Sequence, residues 1–370
     1  MNARTVLVAA GGTGGHLFPA AAFAAAMRAR GWRVVLMTDA RGRRYAADFP
    51  ADAIEDVAAA TLQGKNPLKL AGAALKIFAG INAAQRRLKA IDPAIVAGFG
   101  GYPSFPALWA ARAKKIPILI FQADAVLGRV NRYFAPAAAA IACGFERLDK
   151  LDPRLASRKV VTGIPIRASV AAVHERSYPA LSPGGPLHLL ITGGSQGARL
   201  FGDIAPAAVA ALPAPLRARL SIDQQVREEQ LAAVRAVYQD ANVKADCQAF
   251  FTDMPERLAR AHLVIARAGG SSVTECAVAG RPAILVPLAI GMDDHQTANA
   301  AAMAGAGAAD VMTETQFTAP ALAALLEQRL SDPEGLAQRA AMARALGRPD
   351  AADALAALAE RLAGKQNPVT

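Results

Sequence analysis

A chain of 370 residues exceeds one comfortable hydrophobic core, so two domains of about 160 to 190 residues are expected. Apolar residues make up 53% and aromatics only 5%, an alanine-heavy mixture that favours helices packed on sheets over an all-β design. The formal charge of +11 calls for an anionic partner. The lack of Lys/Arg runs and of base-stacking aromatic pairs argues against nucleic acid, which leaves lipid or phosphate.

Cys143, Cys247 and Cys276 are too few and too far apart for a disulfide frame or a zinc site and read as small buried hydrophobes. No uncharged apolar run of about 18 residues occurs, and no basic region precedes an apolar segment at the N-terminus. The expectation is a cytoplasmic chain that does not span a membrane.

The chain opens with Val6-Leu-Val-Ala-Ala-Gly-Gly-Thr-Gly-Gly-His16, an apolar run broken by four glycines, with helix-prone sequence behind it. This pattern predicts a strand, a turn and a helix N-terminus. Glycine serves where the backbone takes positive φ or touches a ligand, and the helix start offers unpaired N–H groups to an anion. The spacing is neither Gly-x-Gly-x-x-Gly nor a P-loop, which disfavours a dinucleotide-dependent dehydrogenase. A helix over 17–30 ended by Gly31 and a strand over 32–38 complete a βαβ unit, so the sheet is expected to be parallel.

Residues 65–91 follow a helical period. At 100° per residue, Leu70, Ile77, Ile81 and Leu88 share one side, with Lys65, Lys69, Lys76 and Arg87 opposite. This is a core-facing helix with a solvated basic face. Leu68, Leu75 and Phe78 flank the lysines and also suit an anionic membrane surface, and the two readings are compatible.

A strand over 93–99 leads into Gly100-Gly101-Tyr-Pro-Ser104, and a strand over 116–121 into Gln122-Ala-Asp124 and a helix with Arg129 and Arg132. Ligands of open α/β sheets collect at such carboxyl ends. The first half closes at Val160-Val-Thr-Gly-Ile-Pro-Ile-Arg167. Residues 168–186, with three prolines and Gly184-Gly185, read as a linker.

The second half repeats the design, with Leu189-Leu-Ile-Thr-Gly-Gly-Ser-Gln-Gly-Ala198 mirroring the first turn. Strands are expected near 187–192, 219–223, 245–251, 262–266 and 283–286, and helix after Pro320. A third glycine turn, Ala266-Arg-Ala-Gly-Gly-Ser-Ser-Val-Thr-Glu275, enters a helix, and Asp293-Asp-His-Gln296 opens another. Glu275 is placed to accept from vicinal ribose hydroxyls, yet Ser272-x-x-Glu275 is equally a capping box. Asp293 and Asp294 read first as helix caps, and Gln296 suits a sugar hydroxyl. No residue set has metal-ligand spacing, so no metal or other cofactor is expected. His16, which closes the first turn, is the best-placed base among five histidines, while His174, His188 and His262 read as structural.

Five of these stretches together resemble the MurG-type transferase family of bacterial peptidoglycan synthesis: Gly11-Gly-Thr-Gly-Gly-His16, Gly98-Phe-Gly-Gly-Tyr-Pro-Ser104, Ala125-Val-Leu-Gly-Arg-Val-Asn131, Gly193-Gly-Ser-Gln-Gly-Ala198 and Asp293-Asp-His-Gln-Thr-Ala-Asn299. The resemblance implies a GT-B fold, two Rossmann-like, doubly wound parallel-sheet domains around a cleft. Residues 1–165 would bind the acceptor, with helix 350–364 packing back onto them, and residues 166–349 would bind the UDP-sugar donor.

The implied reaction is inverting and metal-free. N-acetylglucosamine moves from UDP-N-acetylglucosamine to the 4-hydroxyl of undecaprenyl-pyrophosphoryl N-acetylmuramyl pentapeptide, at the cytoplasmic face of the inner membrane by a peripheral enzyme. Donor contacts would fall to Thr13, Gly14, Gly15, Asp124, Arg167, Ser195, Phe251, Gly270, Ser271, Ser272, Val273, Thr274, Glu275 and Gln296, with the uracil against main chain after Phe250-Phe251. Gly12, Gly100, Gly101 and Tyr102 would hold the acceptor pyrophosphate, and His16 matches a proposed base position.

Two sites depart from the family pattern. Phe121-Gln122-Ala123-Asp124 stands where His-Glu-Gln-Asn is usual, and Gly163-Ile-Pro-Ile-Arg167 where Gly-Asn-Pro-Val-Arg is usual. The alternatives are a GT-B transferase or epimerase with a soluble acceptor and a non-catalytic nucleotide-sugar binding protein.

Overall fold

The computed structural model describes residues 3–11, 14–44, 46–59, 67–182, 184–194, 197–289 and 294–364, with the side chains of 67–70 left out. The chain divides into two compact units: Met1–Arg167 with Asp350–Thr370, and Ala168–Pro349.

Unit 1 runs β1 (Thr5–Ala9), α1 (Gly14–Ala29), β2 (Arg33–Thr38), α2 (Ala40–Arg44), β3 (Ala53–Asp56), α3 (Pro67–Ile91), β4 (Ile95–Gly98), α4 (Phe105–Ala113), β5 (Ile118–Gln122), α5 (Arg129–Phe134), β6 (Ala140–Cys143) and β7 (Lys159–Val161). Among the described residues its sheet has seven strands in the order β3-β2-β1-β4-β5-β6-β7. Every pairing is parallel, as between β1 and both β2 and β4. Parallel strands are covered on both faces, and all five residues of β1 are buried, which is why its sequence is continuously apolar rather than alternating. A file of tilted rings, Phe23 on α1, then Phe99, then Phe121 on β5, with centroids 5.4 and 5.2 Å apart, supports the carboxyl ends of β4 and β5 from below.

Unit 2 runs α6 (Ala168–Ala171), β8 (Leu187–Thr192), α7 (Arg199–Ala210), α8 (Ala214–Arg217), β9 (Leu220–Gln225), α9 (Leu231–Asp240), β10 (Lys244–Gln248), α10 (Met254–Arg260), β11 (Leu263–Arg267), α11 (Gly270–Ala279), β12 (Ala283–Val286), α12 (His295–Gly305), β13 (Ala309–Val311), α13 (Ala319–Leu330) and α14 (Pro333–Leu346). Its six described strands lie in the order β10-β9-β8-β11-β12-β13, again all parallel. The last helix, α15 (Ala351–Gly364), belongs to unit 1. There Trp32 Nε1 donates to Glu360 at 3.0 Å and Arg30 pairs with both Asp353 and Glu360.

Several elements differ from the sequence reading. Helix α1 starts at Gly14, not Leu17, which puts Gly14, Gly15 and His16 in its first turn. Strand β10 stops at Gln248, so Ala249-Phe250-Phe251 is loop. Strands β3, β6, β7 and β13 are not among those the sequence reading predicts. β6, Ala-Ile-Ala-Cys, is half alanine, which gives no strand signal by itself, and is a strand because it is buried beside β5 and β7.

The proline-rich stretch after Ala168 is packed rather than extended. Val170 and Val173 are buried, His174 Nδ1 lies 2.9 Å from the Val278 carbonyl, and Tyr178 donates to the His262 carbonyl at 2.7 Å. All three cysteines are free and buried.

Helix α3 seats Gly80, Ala84 and Leu88 against the unit and half-buries Ile77 and Ile81, while Leu75 is 71% and Phe78 64% exposed. Arg87 pairs with Glu55 at 2.8 Å instead of facing only water. Lys65 and the side chains of Leu68, Lys69 and Leu70 lie outside the described residues. Among those described, no helix is long and apolar enough to cross a membrane.

His262 is 2% exposed, and its Nδ1 accepts the His188 backbone N–H at 2.9 Å, which requires the neutral ring. Burial, with His188 close by, holds its pKa down at about 4 against an ordinary 6.5. The unfolded chain therefore binds a proton that the folded chain refuses. This contribution is complete above pH 6.5 and is lost as pH falls from 6.5 towards 4. Urea unfolding is expected to show stability dropping by up to about 3 kcal/mol over that window, and His262→Gln is expected to flatten the slope.

Candidate active site

In each sheet the strand order reverses once, between β1 and β4 in unit 1 and between β8 and β11 in unit 2. Two loops flank each reversal, and all four are the glycine-rich turns. Ligands of doubly wound sheets bind outside the carboxyl ends at such a point.

In unit 1, a side chain on Gly11 would come within 2.8 Å of Pro103 Cβ and 2.9 Å of both Asp39 Oδ1 and Thr38 Oγ1. The turn after β1 thus lies flat on the turns after β2 and β4. Gly100 and Gly101 have φ of +87° and +73°. The His16 ring abuts both, for a Cβ on Gly100 would stand 3.4 Å from His16 Cε1 and one on Gly101 3.2 Å from His16 Cδ2.

Tyr102 donates its hydroxyl to Asp39 Oδ2 at 3.0 Å, and Asp39 Oδ1 accepts the Gly42 N–H at 2.9 Å. The Tyr102 proton is therefore committed within the unit, and burial, reinforced by Asp39, raises its pKa. One strand further out, Gln122 Oε1 accepts from Gly128 N at 3.0 Å and from Asn131 Nδ2 at 2.9 Å. Asn131 Nδ2 also donates to the Phe121 carbonyl and lies against Gly100. Asp124 follows this strand half-buried, and Arg167, where the chain first leaves the unit, is exposed.

Ile164 explains one departure from the family pattern. It is fully buried, and a Cβ on Gly144 would meet its Cγ1 at 2.3 Å. The position is apolar packing, where an amide would need hydrogen-bond partners.

In unit 2, Gly193 cannot carry a side chain, since its Cβ would lie 2.1 Å from Ala198 N, and Gly194 and Gly197 take φ of +77° and +65°. The atom nearest a Cβ on Gly194 is Ser272 Oγ, 4.0 Å away, so the β8 turn faces the start of α11. Helix α11 begins at Gly270 with Gly269 as its N-cap and no side chain capping it. Ser272 is therefore inside the first turn, which overturns the capping-box reading of Glu275. Gly270, Ser271 and Ser272 present first-turn N–H groups. Val273 and Thr274 are buried behind them, and Glu275 lies a turn further along, half-buried.

Gln296 Oε1 accepts from Leu288 N at 3.0 Å, which orients its NH₂ away from the β12 loop. Asp294 is the N-cap of α12 by position, with φ +51°, but its side chain makes no cap hydrogen bond. Gly12, Thr13, Ser195 and Asp293 lie outside the described residues. Among those described, no group of three or more His, Cys, Asp or Glu is arranged to hold a metal ion.

Gln225, missed by the sequence reading, ties the unit 2 loops together. Its Oε1 accepts from Thr192 Oγ1 at 2.9 Å and Gly193 N at 3.2 Å, and its Nε2 donates to the Ala249 carbonyl at 3.2 Å. The polar run Asp223-Gln224-Gln225 closing a buried strand was the available signal. Arg267, likewise missed, pairs with Glu314 at 2.6 Å beneath the third turn.

Two parallel α/β sheets, each with glycine turns at its order reversal, are the architecture of the GT-B fold. Residues 6–143 match the Glycosyltransferase family 28 N-terminal domain and residues 188–355 the Glycosyltransferase family 28 C-terminal domain. The chain is 52% identical to the UDP-N-acetylglucosamine--N-acetylmuramyl-(pentapeptide) pyrophosphoryl-undecaprenol N-acetylglucosamine transferase of Maricaulis maris, covering 96% of this chain and 97% of that one. It is 50% identical to the protein of that name from Rhodospirillum centenum, over 96% and 94%.

The crystal structure of Acinetobacter baumannii MurG superposes with a TM-score of 0.80 at 32% identity, over 97% and 99% of the chains. A UDP-GlcNAc 2-epimerase from Neisseria meningitidis, with a TM-score of 0.65 at 15% identity over 98% and 100%, shares the fold. The chain belongs to the family of UDP-N-acetylglucosamine--N-acetylmuramyl-(pentapeptide) pyrophosphoryl-undecaprenol N-acetylglucosamine transferases.

Gly101 combines φ 73° with ψ 157°, a region that side chains avoid. Gly101→Ala is expected to cost about 1–3 kcal/mol in urea unfolding, through that backbone and through pressure on His16. Gly72→Ala on α3, where a Cβ meets nothing within 4 Å, is the control and is expected to stabilise by about 0.5–1 kcal/mol.

Proposed function

We propose that this chain moves N-acetylglucosamine from UDP-N-acetylglucosamine to the 4-hydroxyl of undecaprenyl-pyrophosphoryl N-acetylmuramyl pentapeptide, by an inverting displacement without metal. Unit 2 takes the donor and unit 1 the acceptor. The observation that carries this reading is the uncapped start of α11 facing the Gly193-Gly194 turn, in a chain of this family.

The uracil meets main chain at Phe251, and Glu275 accepts from the ribose hydroxyls. Gly270 to Thr274 and Ser195 surround the diphosphate, and Gln296 offers its NH₂ to a sugar oxygen. Thr13, Gly14, Gly15, Asp124 and Arg167 complete the donor contacts. Gly12, Gly100 and Gly101, with the main chain of Tyr102, hold the acceptor pyrophosphate.

The acceptor hydroxyl attacks the anomeric carbon and its proton passes to His16, while the bond to the UDP oxygen breaks. Charge building on UDP is stabilised by helix-start N–H groups and a guanidinium, as a diphosphate leaving group requires. A lipid-linked acceptor places the enzyme peripherally at the cytoplasmic face of the inner membrane. The exposed Leu75 and Phe78 beside Lys76, with the +11 charge, support contact with an anionic membrane surface.

Incubation with labelled UDP-N-acetylglucosamine and the lipid-linked muramyl pentapeptide in EDTA is expected to give label transfer. Donor binding without transfer would favour a binding module, and a need for metal would refute the mechanism. Glu275→Ala is expected to weaken UDP binding by about 1–3 kcal/mol in calorimetry with unchanged urea stability.

Leu75→Ser with Phe78→Ser is expected to lower binding to vesicles of anionic phospholipid by roughly tenfold or more. Transfer to a detergent-solubilised acceptor is expected to survive. Unchanged vesicle binding would remove α3 from the membrane contact.

A further inference from the structure

The loop that follows β10 is built around a cation that no binding role has used. Arg257, on α10, is 4% exposed. Its guanidinium reaches three carboxylates on three separate pieces of chain: Asp223 on β9 through Nη1 at 2.6 Å, Asp246 on β10 through Nη2 at 2.7 Å, and Asp253 in the loop through Nε at 2.7 Å. The face of the same guanidinium lies over the Phe251 ring, with Cζ 3.8 Å from the centroid. Phe251 itself is 3% exposed. Every edge and one face of Arg257 are thereby engaged, and each contact constrains the segment 249–253.

Asp253 shows where the constraint is directed. It stands at the N-cap of α10, yet its side chain makes no capping hydrogen bond and binds Arg257 instead. Asp223 is held in turn by Arg260, through Nε at 2.9 Å and Nη2 at 2.8 Å. A buried ion network of this kind is often no more stabilising than apolar packing of the same volume, so its distinctive output is a fixed geometry. The geometry fixed here is the main chain at Phe251, held from the β8 side by Gln225 through the Ala249 carbonyl.

We propose that Arg257 is a positioning residue for nucleobase recognition: by locking Phe251 and Asp253 it sets the main-chain donor and acceptor that distinguish uracil from other bases. This inference rests on the assignment of the UDP moiety to unit 2. Arg257 acts through the loop and does not touch the donor.

The test compares the full-length wild type with Arg257→Lys and Asp253→Asn. Lysine keeps the charge but cannot bridge three carboxylates, and Asp253→Asn removes one arm at a half-exposed position, which keeps the test open should the first variant not fold. UDP and CDP dissociation constants are measured by calorimetry, kinetic constants for donor and acceptor by transfer, and stability by urea.

Expected is a loss of UDP affinity of roughly tenfold for Arg257→Lys and a narrowed UDP-over-CDP preference, with a raised donor KM. Acceptor KM and kcat at saturating donor are expected to stay within about twofold, and Asp253→Asn is expected to shift the same constants in the same direction. Variants that lose stability while keeping wild-type UDP affinity and base preference overturn the proposal. Wild-type protein that binds UDP no better than CDP overturns the donor assignment itself, and the positioning role with it.

Discussion

Close approach of main chain to main chain is the constraint from which the rest of this structure follows. At the carboxyl edge of each sheet the turns press together until no side chain fits between them. Gly11 is enclosed by Thr38, Asp39 and Pro103, and Gly193 by the backbone of Gly197 and Ala198. What such an edge presents is peptide N–H groups and helix starts, which is chemistry suited to anions such as diphosphates. Two of the candidate side chains lie directly against neighbouring turns: His16 against Gly100 and Gly101, and Gln296 hydrogen-bonded by the Leu288 N–H.

The edges were legible in the sequence because glycine clusters at the ends of apolar runs have one economical explanation, and there are four of them in matching order. The parallel sheets were legible for the same reason, through strands such as Val6 to Ala9 that are apolar throughout. What stayed hidden was set by packing at a distance. Strand β6 is short and half alanine, so its local composition gives no clear strand signal, and it is extended where β5 and β7 bracket it. The start of α11 could not be located from Ser272-x-x-Glu275, because spacing does not reveal that Gly269 is already the cap. Gln225 and Arg257 make sense only once strands distant in sequence lie side by side.

The family departures sort themselves by environment. Ile164 replaces an amide with a side chain that fills the hollow over Gly144, so the chain has exchanged a polar group for packing there. Asp124 stays half-buried just after β5, where a carboxylate in place of an amide adds negative charge without disturbing the strand.

Unit 1 is assembled from two segments far apart in the sequence, with Trp32 and Arg30 joined to Glu360 across 328 and 330 positions. On a ribosome, α1 must therefore wait with its outer flank uncovered while the whole of the other unit is synthesised and folds on its own local contacts. Nascent chains paused before α15 emerges carry an apolar seam, and the amino-terminal domain completes last although it is made first.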